Sequence, residues 1–278
     1  MFTGYRAASL SICRTACRPV GRSGTLGAVA DDTDSTTFRG ARFVGNDFSA
    51  ATFRDCDLRG VKVADSWLID VNLSGEIGNF VVNDVDVTAF VEGELDRRHP
   101  ERVQLRGVRT ADDHRPMWAT IEGLWSETVA RARRLPEPAL HEQVDDEYSL
   151  VETLRHLVFA TDAWASRTVL DEPMPYHRLG FPHSSYPPDA AAALGVDLDA
   201  RPSFDETLEA RASRIAVVRG IVDDLTDDGL ERVCTRAPAP GYPEEPRTVR
   251  RCLRVVMNEE IEHHRYAVRD LAVLEARS

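Results

Sequence analysis

Apolar positions along the chain follow two different periods, and the change between them divides it. From residue 36 to residue 75 the period is five. Phe38, Phe43, Phe48, Phe53, Leu58, Val63, Leu68 and Leu73 recur without a miss. Two places before each stands a mostly small residue: Thr36, Ala41, Asn46, Ala51, Cys56, Val61, Ser66 and Val71. A phase kept through eight periods is the signature of a repeat architecture in which each unit stacks on the next. Residues 80–88 alternate weakly and predict a strand or a ragged last turn of that repeat. Val87 to Arg98 predicts a short helix that stops before Pro100.

From residue 113 the spacing is helical. The first predicted helix runs from about Pro116 to Leu135 and carries Trp118, Ile121, Leu124, Trp125, Val129 and Ala132. The second opens at the capping box Ser149-Leu-Val-Glu152 and runs to about Leu170, so Glu152 reads as a cap. The third opens at a like box, Ser203-Phe-Asp-Glu206, and runs to about Leu225. The fourth spans Thr248 to Leu274 with no Gly or Pro. Residues 171–202, rich in Pro, Gly, Tyr and His, form a long crossover of the kind that lines or covers a site. Four such helices predict an antiparallel bundle with one long crossover.

The last helix carries the candidate chemistry. Leu253, Met257, Glu260, His264, Val268 and Leu271 fall on one face at helical spacing. Four are apolar; Glu260 and His264, four apart, interrupt the stripe. A carboxylate and an imidazole there must be paired or must bind something. An i, i+4 Glu–His pair presents an oxygen and a nitrogen to a divalent metal. Glu259 and His263 form an alternative pair on a more polar face with Cys252, Val256, Ala267 and Asp270, and stand second. The plain alternative is a solvated charged face. His156, on the second helix, is a third candidate beside its other reading as a structural residue.

Composition narrows the function classes. The net charge of −12 argues against a nucleic-acid surface. Lys62 is the only lysine, a usage suggesting a high-GC bacterial genome. Cys13, Cys17, Cys56, Cys234 and Cys252 are odd in number and scattered, which fits a reducing cytoplasm rather than a disulfide framework. No apolar run approaches the roughly 20 residues of a membrane span. Residues 1–35, Arg-rich and Ser-rich with acids absent until Asp31, predict a disordered tail or a start codon assigned too far upstream.

The five-residue phase resembles the pentapeptide-repeat family. That resemblance implies a short right-handed quadrilateral β-solenoid over 36–90, with large residues inward and small ones at corners. A linker, 91–112, then leads to the bundle, 113–278. The bundle's order of motifs is a helix with Leu-x-x-His-Leu, a long crossover, and a last helix with Glu-x-x-x-His followed by Tyr and Arg-Asp. In this it resembles the DinB-like superfamily, which includes thiol S-transferases and the mycothiol-dependent maleylpyruvate isomerase. The resemblance implies one divalent metal, zinc by expectation, with ligands mapped to His156, Glu260 and His264. The expected function is a metal-dependent thiol S-transferase or isomerase using a low-molecular-weight thiol such as mycothiol. The expected partners are that thiol and a small-molecule electrophile, without nucleic acid or membrane, and with homodimerisation left open. The competing reading is a non-catalytic scaffold whose polar cluster is structural. His177, His183 and Tyr186 of the crossover are further candidates to line the pocket.

Overall fold

The structure, a computed structural model, describes residues 38–54 and 56–277. The expected tail, 1–35, lies outside them. They fall into two units that meet in sequence at Glu76 and Ile77.

In the first unit the five-residue phase is written into the backbone. Gly40, Gly45, Ala50, Gly60, Asp65, Asp70 and Gly75 all have positive φ. Turns close from Phe38 O to Ala41 N–H, from Phe48 O to Ala51 N–H and from Leu58 O to Val61 N–H. The left-handed residue is therefore the third of each turn, and the small residues Ala41 and Ala51 supply the closing donor. Consecutive phenylalanine rings pair: Phe43 meets Phe48 edge-on at 5.4 Å, with Phe38 and Phe53 beyond them at 5.8 and 6.3 Å. Expected as inward-facing, these rings remain about half exposed, Phe43 at 52% and Phe48 at 49%. Forty residues enclose too little volume to hide them.

The second unit is helical and makes about half of the chain helical. It opens with a hairpin, β1 (Val81–Val82) and β2 (Val85–Asp86). Helix α1 (Thr88–Arg98) follows as expected, then α2 (Pro100–Gly107), where a linker was expected. Helix α2 is no free connector: it packs against α3 (Ala111–Ala132) and α9 (Val249–Arg277). Helix α3 starts before Pro116, at a Thr110–Asp113 capping box; Asp at the third position disguised a motif that ordinarily ends in Glu or Gln. A short α4 (Glu137–Leu140) precedes α5 (Leu150–Thr161), capped by Ser149 and Glu152 as expected. Helix α5 runs on as a wider π-helical segment, Asp162–Val169, so its far end agrees with the expected Leu170.

The crossover contains α6 (Pro188–Ala193) and leads to α7 (Phe204–Asp223), capped by Ser203 and Glu206. After α8 (Asp227–Glu231), β3 (Val233–Cys234) pairs antiparallel with β4 (Arg247–Thr248), Cys234 opposite Arg247. The four long helices pack in a ring: α3 on α7, α7 on α5, α5 on α9 and α9 on α3. Met117, Trp118, Leu157, Val218, Leu253, Met257 and Leu271 are buried at its centre. Among the described residues no helix is long and apolar enough to cross a membrane.

Candidate metal centre

Helix α9 carries its two Glu–His pairs on neighbouring faces, and the packing gives them different fates. Of the expected apolar stripe, Leu253, Met257, Glu260, His264 and Leu271 are buried and Val268 is half-buried. Its two polar members are committed to the core. Glu260 Oε2 takes a hydrogen bond of 2.5 Å from Arg211 Nη2 on α7, and both side chains are almost wholly buried. Burial pushes the Glu260 carboxyl above its ordinary pKa, and Arg211 only partly offsets it. His264 Nε2 shares a 2.8 Å hydrogen bond with Thr128 on α3, and its ring meets Trp125 edge-on at 5.2 Å. Burial lowers its pKa, keeping it neutral.

His156 does not face these two. The structure brings it together with Glu259 and His263, one residue earlier on α9, and ligand atoms of all three lie within 4.8 Å of one another. Among the described residues this is the single group of three or more His, Cys, Asp and Glu so placed. Glu259 Oε2 stands 3.4 Å from His156 Nε2 and 3.2 Å from His263 Nε2. The two imidazole rings are 4.6 Å apart. The set thus keeps His156 and the i, i+4 spacing but replaces Glu260 and His264 by Glu259 and His263. The reason is rotational. One residue turns a helix by about 100°, so the most apolar face goes to the core and the face beside it meets α5.

The neighbourhood orients the His156 ring. Its Nδ1–H donates 2.9 Å to the Phe181 carbonyl in the crossover, which orients the ring with Nε2 directed at Glu259. Tyr148 and Phe181 stack edge-on at 5.4 Å, and the Tyr148 ring lies 5.8 Å from that of His156. Burial works to raise the Glu259 carboxyl, but hydrogen bonds and charge from His156 and His263 outweigh it and hold the carboxyl below the usual range. About a third of the Glu259 side chain, 34%, stays open to solvent, against 11% for His156, so the group is reachable from one side. The side chains of His177, His183 and Tyr186 make other contacts. His177 Nδ1 accepts the Leu179 N–H, His183 Nδ1 pairs with the Ser185 hydroxyl, and the Tyr186 hydroxyl donates to the Pro240 carbonyl.

The family model of the DinB superfamily matches residues 120–267, which takes in α5, the crossover, α7 and most of α9. The chain belongs to the DinB superfamily. A second family model, that of pentapeptide repeats, matches residues 35–75 in eight copies. Comparison with curated proteins and with solved structures gave no match. DinB-superfamily proteins often bind a divalent metal, and among the described residues His156, Glu259 and His263 form a group that could hold one.

Proposed function

We propose that this DinB-superfamily chain is a divalent-metal-dependent thiol S-transferase or isomerase, with His156, Glu259 and His263 as ligands. The observation that carries the reading is the convergence of two imidazole nitrogens and one carboxylate oxygen from α5 and α9. Two neutral His and a carboxylate are a donor set suited to zinc with a position left for substrate. A divalent ion held by these residues would lower the pKa of a bound thiol, and a thiolate is the nucleophile of S-transfer. The protein's own part is to aim the ligand atoms. The Phe181 carbonyl orients the His156 ring, and the Glu259 carboxylate sits between the two imidazoles. A low-molecular-weight thiol such as mycothiol is the proposed cosubstrate. The free thiols of Cys234 and Cys252 support a cytoplasmic setting. We further read α3, α5, α7 and α9 as an antiparallel four-helix bundle, and residues 36–75 as a two-coil β-solenoid appended to it.

The test is elemental analysis of the purified protein, followed by thiol consumption with mycothiol and an electrophile. One divalent ion per chain is expected, lost in His156→Ala, Glu259→Ala and His263→Ala and retained in Glu260→Gln. A metal-free wild type, or a metal indifferent to those three variants, would leave the scaffold reading in its place.

A further inference from the structure

Away from the candidate metal centre, the segment that leads into α9 brings two thiols together. Cys234 ends β3, and Arg247 of β4 stands opposite it. Helix α9 begins directly after β4, and the N–H of its first residue, Val249, bonds the Arg232 carbonyl at 3.0 Å. The strand pair thus runs straight into the first turn of the helix, which carries Cys252. Cys234 is 4% exposed and Cys252 0%, and both belong to the same apolar cluster. Burial raises both thiol pKa values, that of Cys252 to about 12, and the sulfurs are close enough to share a hydrogen bond. Closing an S–S bond of about 2.0 Å therefore asks for movement within a contact that already exists.

We propose that Cys234 and Cys252 form a modification site, a dithiol that a low-molecular-weight disulfide oxidises to an internal disulfide. Cys234 reacts first, because β3 is two residues long and exposed Val233 and Thr235 flank the thiol, whereas Cys252 lies inside a helix. The Cys234 thiolate attacks one sulfur of the oxidant, whose S–S bond breaks, and one small thiol leaves with the Cys234 proton. The Cys252 sulfur then attacks that of Cys234, and the second small thiol leaves with the Cys252 proton. The protein loses two electrons and two protons, and the oxidant gains them as two thiols. Buried thiols with raised pKa are slow nucleophiles, so the reaction waits on opening of the short strand. Its product ties residues 235–246 to α9. That segment supplies the Ala237, Pro238 and Pro240 carbonyls, which accept from Arg167 Nε and from the hydroxyls of Tyr176 and Tyr186 in the crossover. Oxidation would thus staple to α9 the segment on which the crossover hangs.

The test treats reduced, full-length protein with oxidised glutathione under native conditions and maps the thiols by proteolysis and mass spectrometry. Exposed Cys56 should take up glutathione and show that the oxidant is active. The expected product is a peptide pair joined through Cys234 and Cys252, released by dithiothreitol, in protein whose helical circular dichroism is retained. Amide exchange across residues 235–246 should slow about 10-fold or more on oxidation. Cys252→Ala should stop at a glutathione adduct on Cys234, and Cys234→Ala should leave Cys252 reduced. A wild type in which both thiols survive while Cys56 is modified overturns the proposal, whether or not the variants fold. So does a bond from either residue to Cys13, Cys17 or Cys56, and so does a bond that forms only after unfolding in urea. A native bond that leaves exchange unchanged supports the modification site and overturns the staple.

Discussion

Glu259 and Glu260 are neighbours in sequence with opposite obligations, and single substitutions should separate them. Removing the Glu260 carboxylate strands Arg211, whose Nε and Nη1 already lack hydrogen-bond partners in the core. Glu260→Ala should therefore cost about 3–5 kcal/mol, the usual penalty for breaking a buried pair. Glu259→Ala should cost far less stability, because that side chain is a third exposed, and should abolish metal binding. Thermal melts with metal analysis of both variants check this; equal stability losses would contradict it. The sequence points to α9, to an i, i+4 Glu–His pair and to His156, but apolarity alone selects a pair one residue beyond the one that converges with His156. The most apolar stripe marks what the core buries, whereas the group converging with His156 lies on the stripe's flank. The missing signal is the core cation: Arg211 on α7 claims Glu260, and nothing within α9 announces it.

At the scale of elements, the π-helical segment after α5 holds a buried acid whose titration should be visible. Burial pushes the Asp162 carboxyl up to about 6, while bonds from Arg214 on α7 and from the His177 N–H on the crossover, which lower it, do not fully compensate; the charge of Glu172 adds a little. A carboxyl with a raised folded pKa binds its proton more tightly in the folded state. Its contribution therefore favours folding in acid and is lost as pH rises from about 4 towards about 6. Asp162→Asn has no such proton. The stability of this variant relative to wild type, from urea unfolding, should rise across that interval and level off above it; a flat difference would show that Asp162 is not perturbed. In the five-residue repeat, backbone conformation rather than packing makes the prediction. Gly60 has φ +76°, so Gly60→Val should cost about 1–2 kcal/mol or more, whereas Ala50→Gly, at φ +61°, should relieve strain. Hydrogen exchange over residues 38–76 measures both. Period and phase were legible here because each fifth residue meets the same steric demand. Helix α2 was not legible, because its short, polar segment gains its place from packing against α3 and α9.

For the molecule as a whole, the change of period coincides with the change of architecture, and the candidate ligands and the core lie on the helical side. Residues 77–278 expressed alone should thus keep the helical unit's melting transition and bind metal with the same stoichiometry. Calorimetry and elemental analysis decide this, and aggregation or loss of the ion would tie the helical unit to the repeat. The paired registers of α9 carry one more consequence. The helix spells the same two-residue ligand word twice, offset by a single letter: Glu259 with His263, and Glu260 with His264. A one-residue deletion just upstream, with the front of α9 held by its docking, would rotate the second word into the place of the first. His156 would then meet a chemically identical pair. Such a frame slip would preserve the donor atoms while misphasing Ala267, Leu271 and Leu274 behind them. The donor chemistry of this helix therefore tolerates a slip that its hydrophobic seam forbids, and it is the seam, not the candidate ligand group, that keeps the helix in register.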